Sequence, residues 1–293
     1  MGEQKYANNG GVSIHYRKYA HHDPNAPYIL FLHGFPDRET TWNDYQIPAF
    51  SRDYNILTPT LRGFLPSDVP PEVSDYTTEA YVTDIVAILQ QENIASVYLI
   101  GHDLGGGLVQ GFAKTFPEKV KALIIINTMI FPTFLPMISH DAKAQEWARY
   151  TIPYYTYVPG QPKNIDTLVK TIRDPSYRRE IADYLDRSPL EGMFNFYKNN
   201  YPGPPYGQDL VTALNVTKEN WTQRVPTMVI WGEEDDYFDP RTVDGMQGWF
   251  GLGVRLVTLP KAGHWPFRDQ WKRTNQEIVS FLEIAEDIEK NIL

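Results

Sequence analysis

The run Gly101-His102-Asp103-Leu104-Gly105-Gly106 decides how this chain folds. Before it, Ala95-Ser96-Val97-Tyr98-Leu99-Ile100 has the apolar character of a short buried strand. After it, Leu104 to Phe116 continues at helical spacing, with Leu108, Val109 and Phe112 apolar. A small-x-nucleophile-x-Gly turn between a strand and a helix is a nucleophile elbow. Its glycines let neighbouring segments approach a residue held in a strained turn. The central residue is usually Ser, but here it is a carboxylate, Asp103. A serine oxygen suits acyl transfer. A carboxylate suits displacement at an sp³ carbon, leaving an alkyl ester on the protein that water must hydrolyse. The implied electrophile is an epoxide or a carbon–halogen bond. Taken without its flanks, Asp103 would equally fit a helix N-cap.

Outward from the elbow, apolar runs recur with helical stretches between them. Asn8-Asn9-Gly10-Gly11 is a turn signal, and Val12-Ser13-Ile14-His15-Tyr16 reads as a hairpin strand. Pro27 to Leu32 is a continuous apolar run of the kind found in a central parallel strand. Further buried strands are expected at Tyr54–Pro59, Val97–Ile100, Ala122–Asn127, Pro226–Trp231 and Val254–Leu259. This alternation predicts an α/β fold, a mostly parallel sheet with helices on both faces. From about Phe131 to Trp221 the chain turns aromatic- and Pro-rich without strand signals, which predicts an inserted helical cap over residues 131–221. The core then comprises 1–130 and 222–293, closed by a helix from about Arg268 to Ile288.

The chain's 293 residues suit one large domain with an insertion. With 27 Lys+Arg against 36 Asp+Glu, the net charge of −9 gives no basic footprint for nucleic acid or for an anionic membrane. No apolar run approaches the ~20 residues of a membrane span, and Met1 to Tyr6 has no signal-peptide core. The absence of cysteine removes disulfides, thiolate metal sites and a Cys nucleophile, and fits a cytoplasmic setting. His21-His22 lacks metal-site spacing, and neither a metal nor another cofactor is expected.

Three more segments stand where an Asp nucleophile needs them. His33-Gly34-Phe35-Pro36-Asp37 is a tight loop after a strand, and the backbone N–H of Phe35, with that of Leu104, is placed to form an oxyanion hole. Trp231-Gly232-Glu233-Glu234-Asp235-Asp236 supplies an acid, Asp235 or its neighbour Asp236, and Ala262-Gly263-His264-Trp265-Pro266 supplies a histidine. The order Asp103, Asp235, His264 is the nucleophile, acid, base order of α/β-hydrolases. Taken with Arg62-Gly63-Phe64, these motifs resemble the α/β-hydrolase epoxide hydrolases over most of the core.

That resemblance implies a cofactor-free hydrolase that opens a small apolar epoxide to a diol. Asp103 would be the nucleophile, His264 the base that activates water, and Asp235 the carboxylate that orients it. It also implies two cap tyrosines donating to the epoxide oxygen. Tyr197, within Gly192-Met193-Phe194-Asn195-Phe196-Tyr197-Lys198, is one. Tyr150 is chosen for the other over Tyr154, Tyr155 and Tyr157, because Tyr154 stands four residues on as the family's spacing requires. Tyr154 and Trp265 are expected to contact substrate. The chain departs from the family at Leu104, where Trp is common, and at Arg62 to Ser67, which replaces a Gly-Tyr-Gly-x-Ser loop. The nearest alternative is a haloalkane or haloacid dehalogenase: the first would place side-chain N–H groups at positions 35 and 104, which here hold Phe and Leu, and the second would place Arg just after the nucleophile, where Leu104 and Leu108 offer none. A non-catalytic binding protein on the same fold is the third reading.

Overall fold

The computed structural model describes residues 2–292, and in it the alternating segments form one eight-stranded sheet of order β1-β2-β4-β3-β5-β6-β7-β8. The expected core limits Met1 and Leu293 lie outside the described residues. The hairpin β1 (Glu3–Asn9) and β2 (Val12–Tyr19) turns at Gly10 and Gly11, whose positive φ values of 60° and 96° are those a tight hairpin demands. β2 also pairs antiparallel with β4 (Asn55–Pro59). The other neighbours are parallel: β3 (Tyr28–Leu32), β5 (Val97–His102), β6 (Val120–Ile126), β7 (Thr227–Gly232) and β8 (Val254–Leu259). Every residue of β4, β5 and β7 is buried, because helices cover both faces; hence continuous apolar runs replace a period of two.

The first helices are α1 (Gln46–Phe50), α2 (Thr78–Gln91) and α3 (Leu104–Thr115), the last starting at the elbow. Between β6 and β7 the chain runs through α4 (Phe131–His140), α5 (Ala142–Trp147), α6 (Ile152–Thr156), α7 (Ile165–Val169), α8 (Pro175–Arg187), α9 (Leu190–Asn200), α10 (Leu210–Ala213) and α11 (Lys218–Trp221). The single closing helix expected from Arg268 is instead two, α12 (Pro266–Asp269) and α13 (Trp271–Ile292). The break falls at Gln270, with φ −129° and ψ 47°. α12 is held in its own direction: Asp269 accepts the Gly263 N–H at 2.8 Å and Arg268 donates to the Thr41 carbonyl at 2.9 Å.

Contacts between the helical insertion and the sheet domain place α8 and α9. Tyr184 of α8 donates to the Leu65 carbonyl at 2.9 Å. Gly192 of α9 meets Gly63 backbone to backbone: a Cβ on Gly192 would lie 2.8 Å from the Gly63 oxygen and 2.6 Å from Val69. Gly63 itself has φ +82°. At the far end of α9, Asn200 accepts from the Thr78 N–H at 2.9 Å and donates to the Tyr76 carbonyl. Arg62 holds the receiving loop through two bonds to buried Asp84, at 2.7 and 2.6 Å. No helix among the described residues is long and apolar enough to cross a membrane.

Candidate active site

Five C-terminal strand ends converge on one place, as the crossover rule for parallel sheets requires. β5 delivers Asp103 in the elbow with φ +53° and ψ −122°, a backbone that non-glycine residues rarely adopt. The loop after β3 reaches over it, and the Phe35 N–H donates to Asp103 Oδ1 at 2.7 Å. Gly34 permits this approach, since a Cβ there would stand 2.3 Å from that oxygen. Leu104 opens α3, so its amide is among the first four of the helix, which have no intrahelical acceptor. His33 props the loop as a neutral ring. Nε2 accepts the Leu61 N–H at 3.1 Å, Nδ1 donates to the Gly34 carbonyl at 2.9 Å, and burial lowers its pKa to about 4.

The loop after β8 brings His264 Nε2 to 3.5 Å from Asp103 Oδ2, while Nδ1 lies 2.8 Å from Asp235 Oδ2. Of the two adjacent carboxylates, Asp235 is the one that reaches the imidazole; Asp236 is exposed and faces outward. Asp235 Oδ1 accepts the N–H groups of Tyr237 and Phe238, at 2.7 and 3.1 Å, so the turn after β7 aims Oδ2 at the imidazole. Burial alone would push the His264 pKa down. The charges of Asp235 and Asp103 outweigh it and raise the pKa above the ordinary histidine range.

Sequence reasoning missed Asn127, which directly follows β6 with φ +34°. It donates to Asp235 Oδ2 at 2.6 Å and accepts the Gly232 N–H at 2.8 Å, bracing the acid from the neighbouring strand. The available signal was an Asn directly after a strand, a residue type that tolerates left-handed backbone. Asp37 was visible in its motif but had no assigned part. It is fully buried, accepts from Tyr177 Oη at 2.7 Å and from Trp265 Nε1 at 2.9 Å, and burial raises its pKa to about 6. It thereby joins α8 to the His264 loop. Trp265 packs edge-on to His264, with centroids 4.8 Å apart, but does not line the cavity at Asp103. His102 is neutral: its Nε2 donates to the His264 carbonyl at 2.8 Å, and burial lowers its pKa to about 3.

A cavity of about 10 Å³ lies at Asp103 and His264, walled by Phe35, Tyr150, Tyr154, Leu168, Tyr197 and Tyr237. Tyr197 and Tyr150 both reach it. Their phenols are pushed well up, by burial first and in part by the Asp103 charge. Tyr154 stacks on Phe194 at 4.6 Å and also faces the cavity. Of the other two candidates, Tyr155 donates to the Tyr201 carbonyl and Tyr157 lines a second cavity on the far side of Tyr150 and Tyr154, and neither lines the cavity at Asp103.

The arrangement comprises a buried carboxylate in an elbow, an amide on one of its oxygens, an imidazole on the other and tyrosines across a small cavity. Residues 29–277 match the profile of the alpha/beta hydrolase family, and the chain belongs to that family. Within it, the chain is similar to epoxide hydrolases. Epoxide hydrolase 3 of Xenopus tropicalis is 27% identical, over 94% of this chain and 76% of the relative. Epoxide hydrolase 4 of Homo sapiens is 26% identical, over 94% and 77%. A crystal structure of the Bacillus megaterium epoxide hydrolase with an inhibitor superposes with a TM-score of 0.83 at 25% identity, covering 95% of this chain and all of that one.

Proposed function

We propose that the protein is an epoxide hydrolase acting through a covalent Asp103 ester, in the cytoplasm, with its helical insertion serving as the cap. The observation that carries this reading is the pairing of Asp103 and His264 beneath Tyr197 and Tyr150. Phe35 holds Asp103 Oδ1, so Oδ2 attacks an epoxide carbon. The carbon–oxygen bond breaks, and the oxygen takes a proton from a tyrosine; without a donor it would depart as a strongly basic alkoxide. Ester formation removes one of the two charges that hold the proton on His264. That proton restores the tyrosine, and neutral Nε2 takes a proton from water. The water oxygen attacks the ester carbon while Oδ1, now an oxyanion, lies at the amides of Phe35 and Leu104. Collapse returns the proton to the departing oxygen, and the diol leaves with Oδ2. Asp103 retains Oδ1 and the water oxygen and gives its new proton back to His264. A halide leaving group would need no tyrosine, and Phe35 and Leu104 give it no side-chain donor.

His264→Gln separates the two stages. With styrene oxide the variant should form the ester and stop, so intact mass rises by the substrate mass and peptide mapping finds the adduct on Asp103. Full turnover by this variant, or no adduct at all, would sink the covalent route. Faster halide release from a matched haloalkane than diol formation by the wild type would sink the choice of substrate.

A further inference from the structure

A cavity of about 10 Å³ holds roughly one water and no epoxide, so a wall must move before substrate reaches Asp103. Beyond that wall lies an outer cavity of about 550 Å³, and Tyr150, Tyr154, Leu168 and Tyr237 line both spaces. They are the partition. Its members are not equally held. Tyr150 and Tyr154 pack edge to face, and Tyr154 is stacked on Phe194 and faces Phe35 and Tyr197. Leu168 instead sits on α7, five residues long, in a span with a left-handed residue at one end, Asn164 with φ +49°. Its other end is pinned at Arg173, which donates to the Lys261 carbonyl and to Glu234, each at 2.7 Å. Between those points, among the described residues, one side-chain hydrogen bond ties the span to the sheet domain: Thr171 Oγ1 to Tyr237 Oη, at 2.5 Å. Tyr237 is well placed to serve as the fixed post. Its N–H is bound to Asp235, and its ring packs on His264 and Tyr150, with centroids 4.8 and 5.0 Å apart.

We propose that Thr171 and Tyr237 latch a gate whose moving wall is Leu168, and that Tyr237 thereby determines which epoxides enter. This rests on the epoxide reading above only for the identity of the substrate. Small epoxides pass through brief openings, whereas aryl-substituted ones need the α7 span displaced, so loosening the latch favours the larger substrate.

The chain has no cysteine, so Leu168→Cys supplies a single thiol behind the latch. Its reaction with 5,5′-dithiobis(2-nitrobenzoate) then reports how often the wall opens. Adding Tyr237→Phe should speed labelling about fivefold, the population shift for one hydrogen bond worth about 1 kcal/mol. Thr171→Val should do the same from the other side, and the double variant should gain no more than either. Labelling unchanged by both substitutions would overturn the gate. In the chain with Leu168 intact, Tyr237→Phe should raise kcat/KM for styrene oxide relative to propylene oxide. Faster labelling with an unchanged ratio would overturn the specificity role. Failure of the wild type to hydrolyse either epoxide would instead defeat the proposed function, while the labelling rates still decide the latch.

Discussion

On the proposed route, Tyr197 is the residue on which the difference between opening an epoxide and displacing a halide turns. Tyr197→Phe keeps the ring against Phe35 and removes only the hydroxyl. Ester formation in single-turnover mixing should slow on the order of 10²-fold, as for loss of a general acid, and a second donor should keep it from vanishing. The same substitution at Tyr150 and at Tyr154 identifies that second donor: the one whose loss slows the ester step is it, and the other should leave the rate near that of the wild type. Asp103, His264 and the Phe35 amide that meets Asp103 could be read from the sequence because each sits in a short motif whose neighbours serve the same turn. The sequence does not choose between Asp235 and Asp236, since adjacent carboxylates in a loop look alike until the Tyr237 and Phe238 amides fix one of them. Asn127 is harder still, because its partners, Gly232 and Asp235, stand more than a hundred residues away.

At the scale of elements, α9 matters because it carries Phe194 and Tyr197 to the site. Its seat is the Arg62 loop, where the chain departs from the family pattern. Gly63 and Gly192 touch through bare backbone there, and Arg62 anchors the loop to α2 through Asp84. Gly192→Ala should therefore cost about 1–3 kcal/mol in overpacking, seen as a lower thermal midpoint. It should also slow the ester step by moving Tyr197, while Asp103 keeps its Phe35 hydrogen bond. An unaltered midpoint and rate would mean that the contact yields freely. The central strands β3 to β7 were legible to within a residue or two because burial on both faces writes them as apolar runs, whereas β2, half exposed, runs three residues past its expected end at Tyr16. The helices of the insertion were legible only as a change of character. Several are four to six residues long, too short to display a period, and their positions depend on tertiary anchors such as Tyr184 to Leu65.

For the whole molecule, the charge at the convergence of the strands links activity to stability. Burial disfavours the His264 cation, but Asp235 and Asp103 raise its folded pKa to about 10, above the ordinary 6.5. A raised folded pKa contributes stability that is complete below the unfolded value and is lost as pH rises through the folded one. The thermal midpoint should thus fall between about pH 6.5 and 10 in the wild type, and His264→Gln should flatten that part of the curve. Equal slopes in the two proteins would show that the imidazolium is not held as the geometry requires. The two oxygens of Asp103 carry a different consequence. One is fixed by the Phe35 amide and the other faces His264, so they are chemically distinct for as long as the carboxylate does not turn over. On the proposed route only Oδ2 leaves with product. In ¹⁸O-water the first diol should be unlabelled and every later one fully labelled, while the protein gains one heavy oxygen and never a second. A half-labelled second diol would mean that the carboxylate flips between cycles. The chain would then keep no isotopic record of which oxygen was original.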